Sequence, residues 1–397
     1  IGDERLICAD VGGTSCDISV VIDGRPWVNT TFELEHDLLV NALSTEIVTL
    51  GAGGGSIVWV TPTGEVQVGP DSAGAQPGPA CYGQGGTRPT LTDAALLMGI
   101  LAGDRFLDGR MPLDVELARQ AFEGLDTNLT FEQRVQYAWR MGLNNVAEGI
   151  LDIAIRRGID PREFSLVAFG AAGPMLLPGL LDLIPLRRVI VPPHPGLFSA
   201  LGLVSTDLVY SDHRSSYTML TPDAATAIDA RYRSMEEGLL ARAGIPGGEA
   251  QLVRSFDGRL AGQSWETPFV EVPRGQVTAE TVADMVTAFH DTYELRNGNR
   301  FPAFPVQGVT WRVQLAVPTP KVSYAPVVPG PPPTPASTAI RHLYGGSEVT
   351  AAQLDRSELG LADSVEGPAV VREPMSTTFV PAGRTLCTGA HGELIIE

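Results

Sequence analysis

Two aspartates enclose a short polar turn near the beginning of the sequence, in the string Asp10-Val11-Gly12-Gly13-Thr14-Ser15-Cys16-Asp17. Paired glycines let a tight turn bring its backbone N–H groups against phosphate oxygens, and the two hydroxyls that follow can donate to the same oxygens. The terminal carboxylates of Asp10 and Asp17 stay ionised and can hold a divalent cation. An ordinary Gly-Gly hairpin is the alternative, but the whole string between two apolar strands favours a phosphate site.

A second string, Phe169-Gly170-Ala171-Ala172-Gly173-Pro174, joins the end of a predicted strand to a predicted helix. Small residues allow a flat ligand to lie against the backbone, and the first turn of a helix favours negative charge. Many strand–helix connections have this composition, so the string is a weak signal alone. Its combination with the Asp10–Asp17 string is more informative than either part.

Several further residues have both a chemical and a structural interpretation. The loop Gly51-Ala52-Gly53-Gly54-Gly55-Ser56 is either a glycine-rich sheet connection or a backbone segment beside a nucleotide or substrate. Asp93 begins a predicted helix, where it is equally suited to capping the helix and to acting as a metal ligand or base. Cys81 is expected to be a small buried residue rather than a metal ligand or nucleophile, and His194 to be structural rather than catalytic.

A polar cluster in the second half of the sequence contains Arg254, Asp257 and Arg259, followed by Gly262 and Gln263. A solvated strand edge is the simpler interpretation. Contact with a partner subunit or with a further lobe is the alternative.

The elements that would position the first two strings follow an α/β order. Apolar strands are predicted at residues 5–9 and 17–22, on either side of the Gly-Gly turn. Helical periodicity follows at 92–101, 114–124 and 130–157, with Gly158 as the C-cap of the last helix. Buried strands are predicted at 165–169 and 188–191. Alternation of strands and helices indicates an α/β layer architecture.

The composition changes after residue 207, which suggests several structural regions. We predict four parts: a lobe at 1–207, an α+β region at 208–325, a proline-rich linker at 326–337 and a β-rich tail at 338–397. One turn of the tail is expected at Gly345-Gly346.

The charge and cysteine content limit the classes of partner and compartment. The formal net charge of −18 argues against nucleic acid or an anionic membrane as a general partner. The four cysteines form no Cys-x-x-Cys pair, which predicts neither a zinc knuckle nor a dithiol redox site. Few, scattered cysteines suggest a reducing, cytoplasmic environment. No apolar run is long enough to predict a membrane span.

The two strings together resemble the second phosphate loop and the adenosine loop of the actin-like ATPase fold, which includes acetate and sugar kinases and actin. The residues between and after them are similar to hydantoinase A and 5-oxoprolinase subunits over essentially the whole chain. The matching segments are 51–56, 68–75, 77–83, 89–94, 157–162, 195–202, 262–263, 366–371 and 392–396.

The resemblance implies ATP as cosubstrate, with Mg²⁺ or Mn²⁺ supported by Asp10 and Asp17. It also implies catalytic roles for Asp10 and Asp93. The residues expected to contact the nucleotide are Gly12, Gly13, Thr14, Ser15, Gly53, Gly54, Gly170, Ala171, Ala172 and Gly173.

The implied reaction is ATP-dependent opening of a cyclic amide such as hydantoin, 5-oxoproline or another lactam, shared with a B-type subunit. A ketone carboxylase subunit of the acetone or acetophenone type, and a non-catalytic subunit, are the alternatives. Family members carry an earlier lobe with its own Asp-x-Gly-Gly-Thr loop, whereas this sequence has one such string. We therefore expect the N-terminal lobe to be missing, the nucleotide site to be half open, and the chain to associate with a partner or with itself.

Overall fold

A computed structural model describes residues 2–29, 32–33, 39–40, 44–244, 251–344 and 347–397. The chain divides into two compact units. The first comprises 1–27, 45–202 and 323–397, and the second comprises 28–44 and 203–322. The predicted turn at Gly345-Gly346 lies outside the described residues. Within the described residues, no helix combines the length and the apolar character that a membrane crossing requires.

The first unit is built around a nine-stranded sheet with the order β19-β22-β23-β12-β11-β1-β2-β3, and β8 pairs with β2 outside this path. β1 runs antiparallel to β2 and parallel to β11, which is itself parallel to β12. The early strands of this unit are β1 (Leu6–Val11), β2 (Cys16–Ile22), β3 (Arg25–Pro26), β8 (Val48–Leu50), β9 (Ser56–Val60), β10 (Val66–Ser72), β11 (Ser165–Phe169) and β12 (Arg188–Val191).

The C-terminal strands also belong to the first unit. They are β17 (Ala336–Tyr344), β18 (Ser347–Asp355), β19 (Ser364–Glu366), β20 (Ala369–Glu373), β21 (Ser376–Val380), β22 (Thr385–Thr388) and β23 (Leu394–Ile396). β23 pairs antiparallel with β12, so the tail extends the central sheet. Its buried side chains share one apolar core with those of β1. Residues 338–397, predicted as a separate tail domain, therefore pack within the first unit.

Five helices accompany these strands. They are α1 (Leu91–Leu97), α2 (Val115–Glu123), α3 (Phe131–Arg157), α4 (Gly173–Leu176) and α5 (Phe198–Val204). α3 confirms the predicted long helix: the Thr130 side chain and Gln133 form a capping box at its start, and Gly158 ends it with a left-handed φ of 65°. Its buried face contains Trp139, Leu143, Val146, Ile150 and Ile153, as the helical periodicity predicts.

The second unit contains a four-stranded antiparallel sheet and two helices with their own core. The sheet order is β13-β16-β14-β15, and the core includes Tyr232, Phe256 and Trp311. The elements of this unit are β4 (Val28–Asn29), β5 (Phe32–Glu33), β6 (Leu39–Val40), β7 (Ser44–Thr45), β13 (Leu208–Met219), α6 (Ala225–Ala243), β14 (Gln251–Leu260), β15 (Thr267–Val272), α7 (Ala279–Asn297) and β16 (Val306–Val317).

Candidate functional site

The parallel strands β1, β11 and β12 bring the two predicted strings together at one edge of the sheet. Ligands of open α/β sheets commonly bind outside the carboxyl ends of such strands. The Ala172 N–H donates to the Val11 carbonyl at 2.9 Å, and the Gly170 N–H donates to the Pro195 carbonyl at 2.9 Å. The Gly170–Gly173 loop therefore lies directly beside the end of β1, where the Gly-Gly turn begins.

The Gly12–Ser15 turn connects β1 and β2 as a hairpin, as the sequence predicts. The Gly12 N–H donates to the Ser15 carbonyl at 3.0 Å. A Cβ atom added to Gly12 or to Gly13 would meet nothing within 4 Å, and neither residue has a positive φ. Neither packing nor backbone conformation within the chain therefore requires glycine at these two positions. The Cα atoms of both glycines thus face open space, while their carbonyls accept from the Gly54 and Gly55 N–H groups on the other side.

In the 51–56 loop, by contrast, packing within the chain does require glycine. The Gly54 N–H donates to the Gly12 carbonyl at 3.0 Å, and a Cβ on Gly53 would lie 2.8 Å from the same carbonyl oxygen. The Thr92 hydroxyl donates to the Gly54 carbonyl at 2.8 Å. Because the loop backbone packs against the turn backbone, a side chain at Gly53 would displace the turn. Gly53 and Gly54 thus support the turn from within the protein.

Asp10 and Asp17 stand directly opposite each other on β1 and β2. Directly paired residues of antiparallel strands project from the same face of a sheet, so the two carboxylates share one face. The Ser199 hydroxyl donates to Asp10, and the Thr49 hydroxyl donates to Asp17 at 2.6 Å. Each carboxylate is therefore held by a hydroxyl from another segment.

This carboxylate pair suits a hard cation that completes its coordination elsewhere. Across the described ranges, no group of three or more His, Cys, Asp or Glu side chains could hold a metal ion. Mg²⁺ is usually bound through one or two carboxylates together with water and substrate phosphates. The pair Asp10 and Asp17 fits that requirement, whereas a metal held by protein ligands alone would need more of them.

Position 170 requires glycine because its backbone lies against Asp10. Its φ is +81°, and a Cβ there would overlap the Asp10 carboxylate and lie 2.5 Å from the Val11 carbonyl oxygen. The helix after this loop, α4, has only four residues and continues as a 3₁₀ turn at Leu177–Asp182. So short a helix contributes little dipole, which weakens the predicted role of a helix N-terminus here.

Thr14 has a hydroxyl available at the rim of the turn. The side chain is exposed, and its Oγ1 accepts a hydrogen bond from the Ser72 hydroxyl at 3.3 Å. Because the oxygen accepts in that bond, its own proton remains free for another acceptor. Ser15, which closes the turn, is half-buried.

Asp93 is fully buried and serves as a structural anchor. Its carboxylate accepts from the Cys81 N–H at 2.7 Å, the Ala80 N–H at 3.2 Å, and both the N–H and the hydroxyl of Thr90 at 2.8 Å. It forms a capping box with Thr90 at the start of α1. Of the two roles left open by the sequence, the structure supports helix capping.

Cys81 is also buried, and burial together with the adjacent Asp93 carboxylate raises the pKa of its thiol. A thiol held in its neutral form is a poor nucleophile. The structure thus agrees with the expected role of Cys81 as a small buried residue.

His194 and the polar cluster of the second unit have structural partners. His194 follows β12 with a left-handed φ of 53°, and its backbone N–H binds the buried Glu373 carboxylate. Asp257, which is 1 % exposed, pairs with Arg312 at 2.6 Å, and Arg254 pairs with Glu236 at 2.6 Å. The Arg259 side chain donates to Gln307 at 3.0 Å. Asp257 and Arg254 are therefore buried charges of the sheet rather than a solvated edge.

Three hydroxyl residues of the site were not singled out from the sequence. Ser199, Thr49 and Ser72 contact Asp10, Asp17 and Thr14 respectively. Each lies far along the chain from its partner and belongs to no local motif. Two of them lie in segments already noted for their family resemblance, Ser72 in 68–75 and Ser199 in 195–202, whereas nothing in the sequence points to Thr49.

Comparison with known proteins places the chain in a family. The Hydantoinase/oxoprolinase family model matches residues 1–212, and the Hydantoinase/oxoprolinase C-terminal domain model matches residues 249–392. Among curated relatives, the caprolactamase subunit alpha of Pseudomonas jessenii is 28 % identical over 96 % of this chain and 56 % of that protein. The acetophenone carboxylase gamma subunit of Aromatoleum aromaticum is 27 % identical over 100 % of this chain and 57 % of that protein.

A solved structure shares the fold. Acetone carboxylase in its nucleotide-free form matches with a TM-score of 0.88 and 23 % identity, over 100 % of this chain and 58 % of that chain. The chain thus spans a little over half the length of each of these three proteins. With two family models covering most of its residues, the chain belongs to the hydantoinase/oxoprolinase family.

Proposed function

We propose that this chain carries the nucleotide-binding lobe of an ATP-dependent enzyme that opens a cyclic amide, such as hydantoin, 5-oxoproline or a related lactam. The observation that carries the proposal is the Gly12–Gly13 turn, which presents unsubstituted backbone to open space although the chain itself needs no glycine there. A phosphate group approaching the backbone N–H groups of the turn would account for both glycines.

The order of the central strands supports an actin-like lobe. β3, β2 and β1 form an antiparallel series, and β11 and β12 continue it in parallel with β1. In this lobe the turn of the first hairpin and the loop after β11 face the same ligand. The proposed adenosine contacts are Gly170, Ala171, Ala172 and Gly173, beside the end of β1.

Each residue of the site has a role in binding or orientation. The backbone N–H groups of the turn after Gly12 and the Thr14 hydroxyl would donate to phosphate oxygens, because the Gly12 N–H already donates to the Ser15 carbonyl. Asp10 and Asp17 would hold Mg²⁺ or Mn²⁺, and the hydroxyls bound to them fix the carboxylates in place. When bound, ATP would supply a phosphoryl group and the cation would neutralise phosphate charge. The protein contributes mainly position and charge.

The chemistry explains the need for ATP. An amide carbonyl is a poor electrophile because its nitrogen donates electrons into the carbonyl group. Phosphorylation of the carbonyl oxygen creates a leaving group, so that water can attack the carbon at neutral pH. The ring-opening step would then be shared with a B-type subunit.

Ketone carboxylation is the second candidate, favoured by the acetophenone carboxylase relative. The same lobe would then support phosphorylation of an enolate or of bicarbonate. Labelled bicarbonate distinguishes the two reactions in the complete enzyme: incorporation of the label supports the carboxylase, and a ring-opened product without label supports the hydrolase.

We further propose that other residues complete the site, from another segment or a partner chain. The chain covers 56–58 % of the three related proteins described above, and the turn faces open space. Phosphates bound on one side remain hydrated, which weakens their contacts with the protein.

The test is nucleotide binding by the 397-residue chain, measured by ligand-observed NMR with ADP in the presence and absence of Mg²⁺. We expect weak binding that depends on Mg²⁺, and no lactam turnover. No Mg²⁺-dependent binding would refute the nucleotide site. Tight ATP binding with lactam hydrolysis by this chain by itself would refute the need for completing residues.

A further inference from the structure

A cavity of about 950 Å³ lies within the first unit, at the top of the size range of small-molecule sites. Its walls come from the loop 101–109, the turn 193–194 after β12, and segments 355–359, 372–377 and 388–394 of the C-terminal region. No residue of the Asp10–Asp17 hairpin lines it. The cavity is therefore distinct from the proposed phosphate site, although it contains Ala171 of the neighbouring loop.

Arg372 is a charged cavity residue without a partner. Its guanidinium forms no hydrogen bond and no ion pair within the part of the chain that the structure describes. Burial lowers the pKa of Arg372, and the positive charge of Arg105 lowers it further, while Asp104 and Asp355 act in the opposite direction without forming an ion pair with Arg372. A bound anion would relieve both unfavourable effects.

Arg356, a second half-buried arginine of the cavity, has a full set of partners within the protein. Arg356 pairs with Glu373 at 2.8 Å and donates to the carbonyls of Val191 at 3.0 Å and Gly392 at 2.8 Å. Arg356 thus ties three segments of the wall together. Arg372, one residue before Glu373 in the sequence, has no such structural task.

The remaining charges define which anion the cavity can accept. The exposed Asp104, Asp108 and Asp355 also line it, together with Arg105, which pairs with Asp355 at 4.0 Å. Asp104 and Asp108 remain unpaired among the residues that the structure describes, so a ligand with several negative charges would be repelled. A single carboxylate matches the planar fork of the Arg372 guanidinium. Phe106, Met175 and Met375 supply apolar wall suited to the body of such a ligand.

We propose that this cavity is a second small-molecule site, which binds a monocarboxylate with an apolar or aromatic body through its carboxylate on Arg372. The inference rests on the cavity and its charges. The cavity adjoins the proposed nucleotide site, because Ala171 lines it and is also a proposed adenosine contact.

The test uses the 397-residue chain and three probes with one aromatic body: phenylacetate, its neutral isostere 2-phenylacetamide, and the dianion phenylmalonate. Affinity is measured by isothermal titration calorimetry or ligand-observed NMR. We expect saturable binding of phenylacetate and much weaker binding of the other two. Arg372→Gln should weaken phenylacetate binding at least tenfold and leave the affinity for 2-phenylacetamide unchanged.

Two further variants keep the test decisive. Arg341→Gln changes an exposed arginine of β17 that pairs with Glu348, and it should bind phenylacetate as the unmodified chain does. Ser357→Trp places a large side chain at the cavity wall without altering its charge, and it should abolish binding. Phenylacetate binding that is absent, or equal in the unmodified chain and in Arg372→Gln, would overturn the proposal. Mg²⁺–ADP binding should persist in Arg372→Gln, which separates this site from the nucleotide site.

Discussion

The Ser199 hydroxyl donates a hydrogen bond to the Asp10 carboxylate, across 189 positions of sequence. Ser199 lies in α5, after the third parallel strand, and Asp10 is the last but one residue of the first. The contact fixes the orientation of a carboxylate that local sequence alone would leave free to rotate. A site residue held by a second residue on a rigid element is better placed to bind a ligand.

We expect Asp10→Ala to abolish Mg²⁺-dependent binding of ADP while lowering the free energy of unfolding by only about 1 kcal/mol, the usual net value of one hydrogen bond. Ligand-observed NMR and urea denaturation measure the two quantities. Asp126→Ala, which removes an exposed carboxylate from the loop between α2 and α3, should change neither. Unaltered ADP affinity in Asp10→Ala would refute the metal and phosphate assignment.

Gly170→Ala should be clearly more destabilising than Gly158→Ala. Both glycines have a left-handed φ, +81° and +65° respectively, but a Cβ at Gly158 meets nothing within 4 Å whereas one at Gly170 overlaps Asp10. Gly158→Ala should therefore lose about 1–2 kcal/mol, the cost of the left-handed conformation, and Gly170→Ala should lose more. Equal losses of unfolding free energy for the two variants, measured by urea denaturation, would mean that the contact with Asp10 does not restrict the side chain at residue 170.

Asp93→Ala should lower the free energy of unfolding by about 3 kcal/mol or more, because it leaves several buried N–H groups without an acceptor. The control is Asp114→Ala, which removes the exposed N-cap of α2 and should lose about 1 kcal/mol. Chemical denaturation compares the two. A stable Asp93→Ala variant would contradict the anchoring role.

The native thiols should differ sharply in reactivity with iodoacetamide at pH 8, as measured by mass spectrometry of peptides. Burial raises the pKa of Cys8 to about 11 and that of Cys16 to about 12, so at most about one molecule in a thousand carries either thiolate. Cys387 is exposed and should react first. Rapid labelling of Cys16 in the folded protein would contradict the burial of the hairpin.

The same pKa shifts set the sign of a pH effect on stability. In the unfolded chain these thiols ionise at a lower pH than in the folded protein. The unfolded state therefore binds fewer protons once the pH exceeds about 9, and stability should fall as the pH rises from there through 11. The corresponding Cys8→Ala and Cys16→Ala variants should lose part of this dependence.

Local sequence predicted the elements that local chemistry determines. The hairpin between β1 and β2, the strand Ser165–Phe169 and both ends of α3 follow from turn residues, apolar runs and caps that are adjacent in the sequence. The Gly-Gly turn and the 170–173 loop could be predicted as site segments because each is a contiguous string in the sequence. Both strings lie at strand ends, and parallel strands bring such ends together.

Contacts between distant segments could not be predicted in this way. β23 pairs with β12, but each strand is an ordinary apolar run in the sequence. Because nothing local links the two runs, the sequence suggested that the tail is a separate domain. Asp93 could be a cap or a site residue until the backbone at residues 80–81 was placed against it. The glycine at Gly53 is explained only by the carbonyl of Gly12 packed above it.

The most direct test of the central claim is the pair of measurements made on Gly13→Ala, namely the free energy of unfolding and the affinity for Mg²⁺–ADP. A Cβ at Gly13 meets nothing within 4 Å in the chain, so the folded protein should be as stable as before. The same methyl group would stand between the turn backbone and a phosphate, so ADP binding should be lost. Gly238→Ala, an equally open position in α6, should retain it. Undiminished ADP binding by Gly13→Ala would contradict the account.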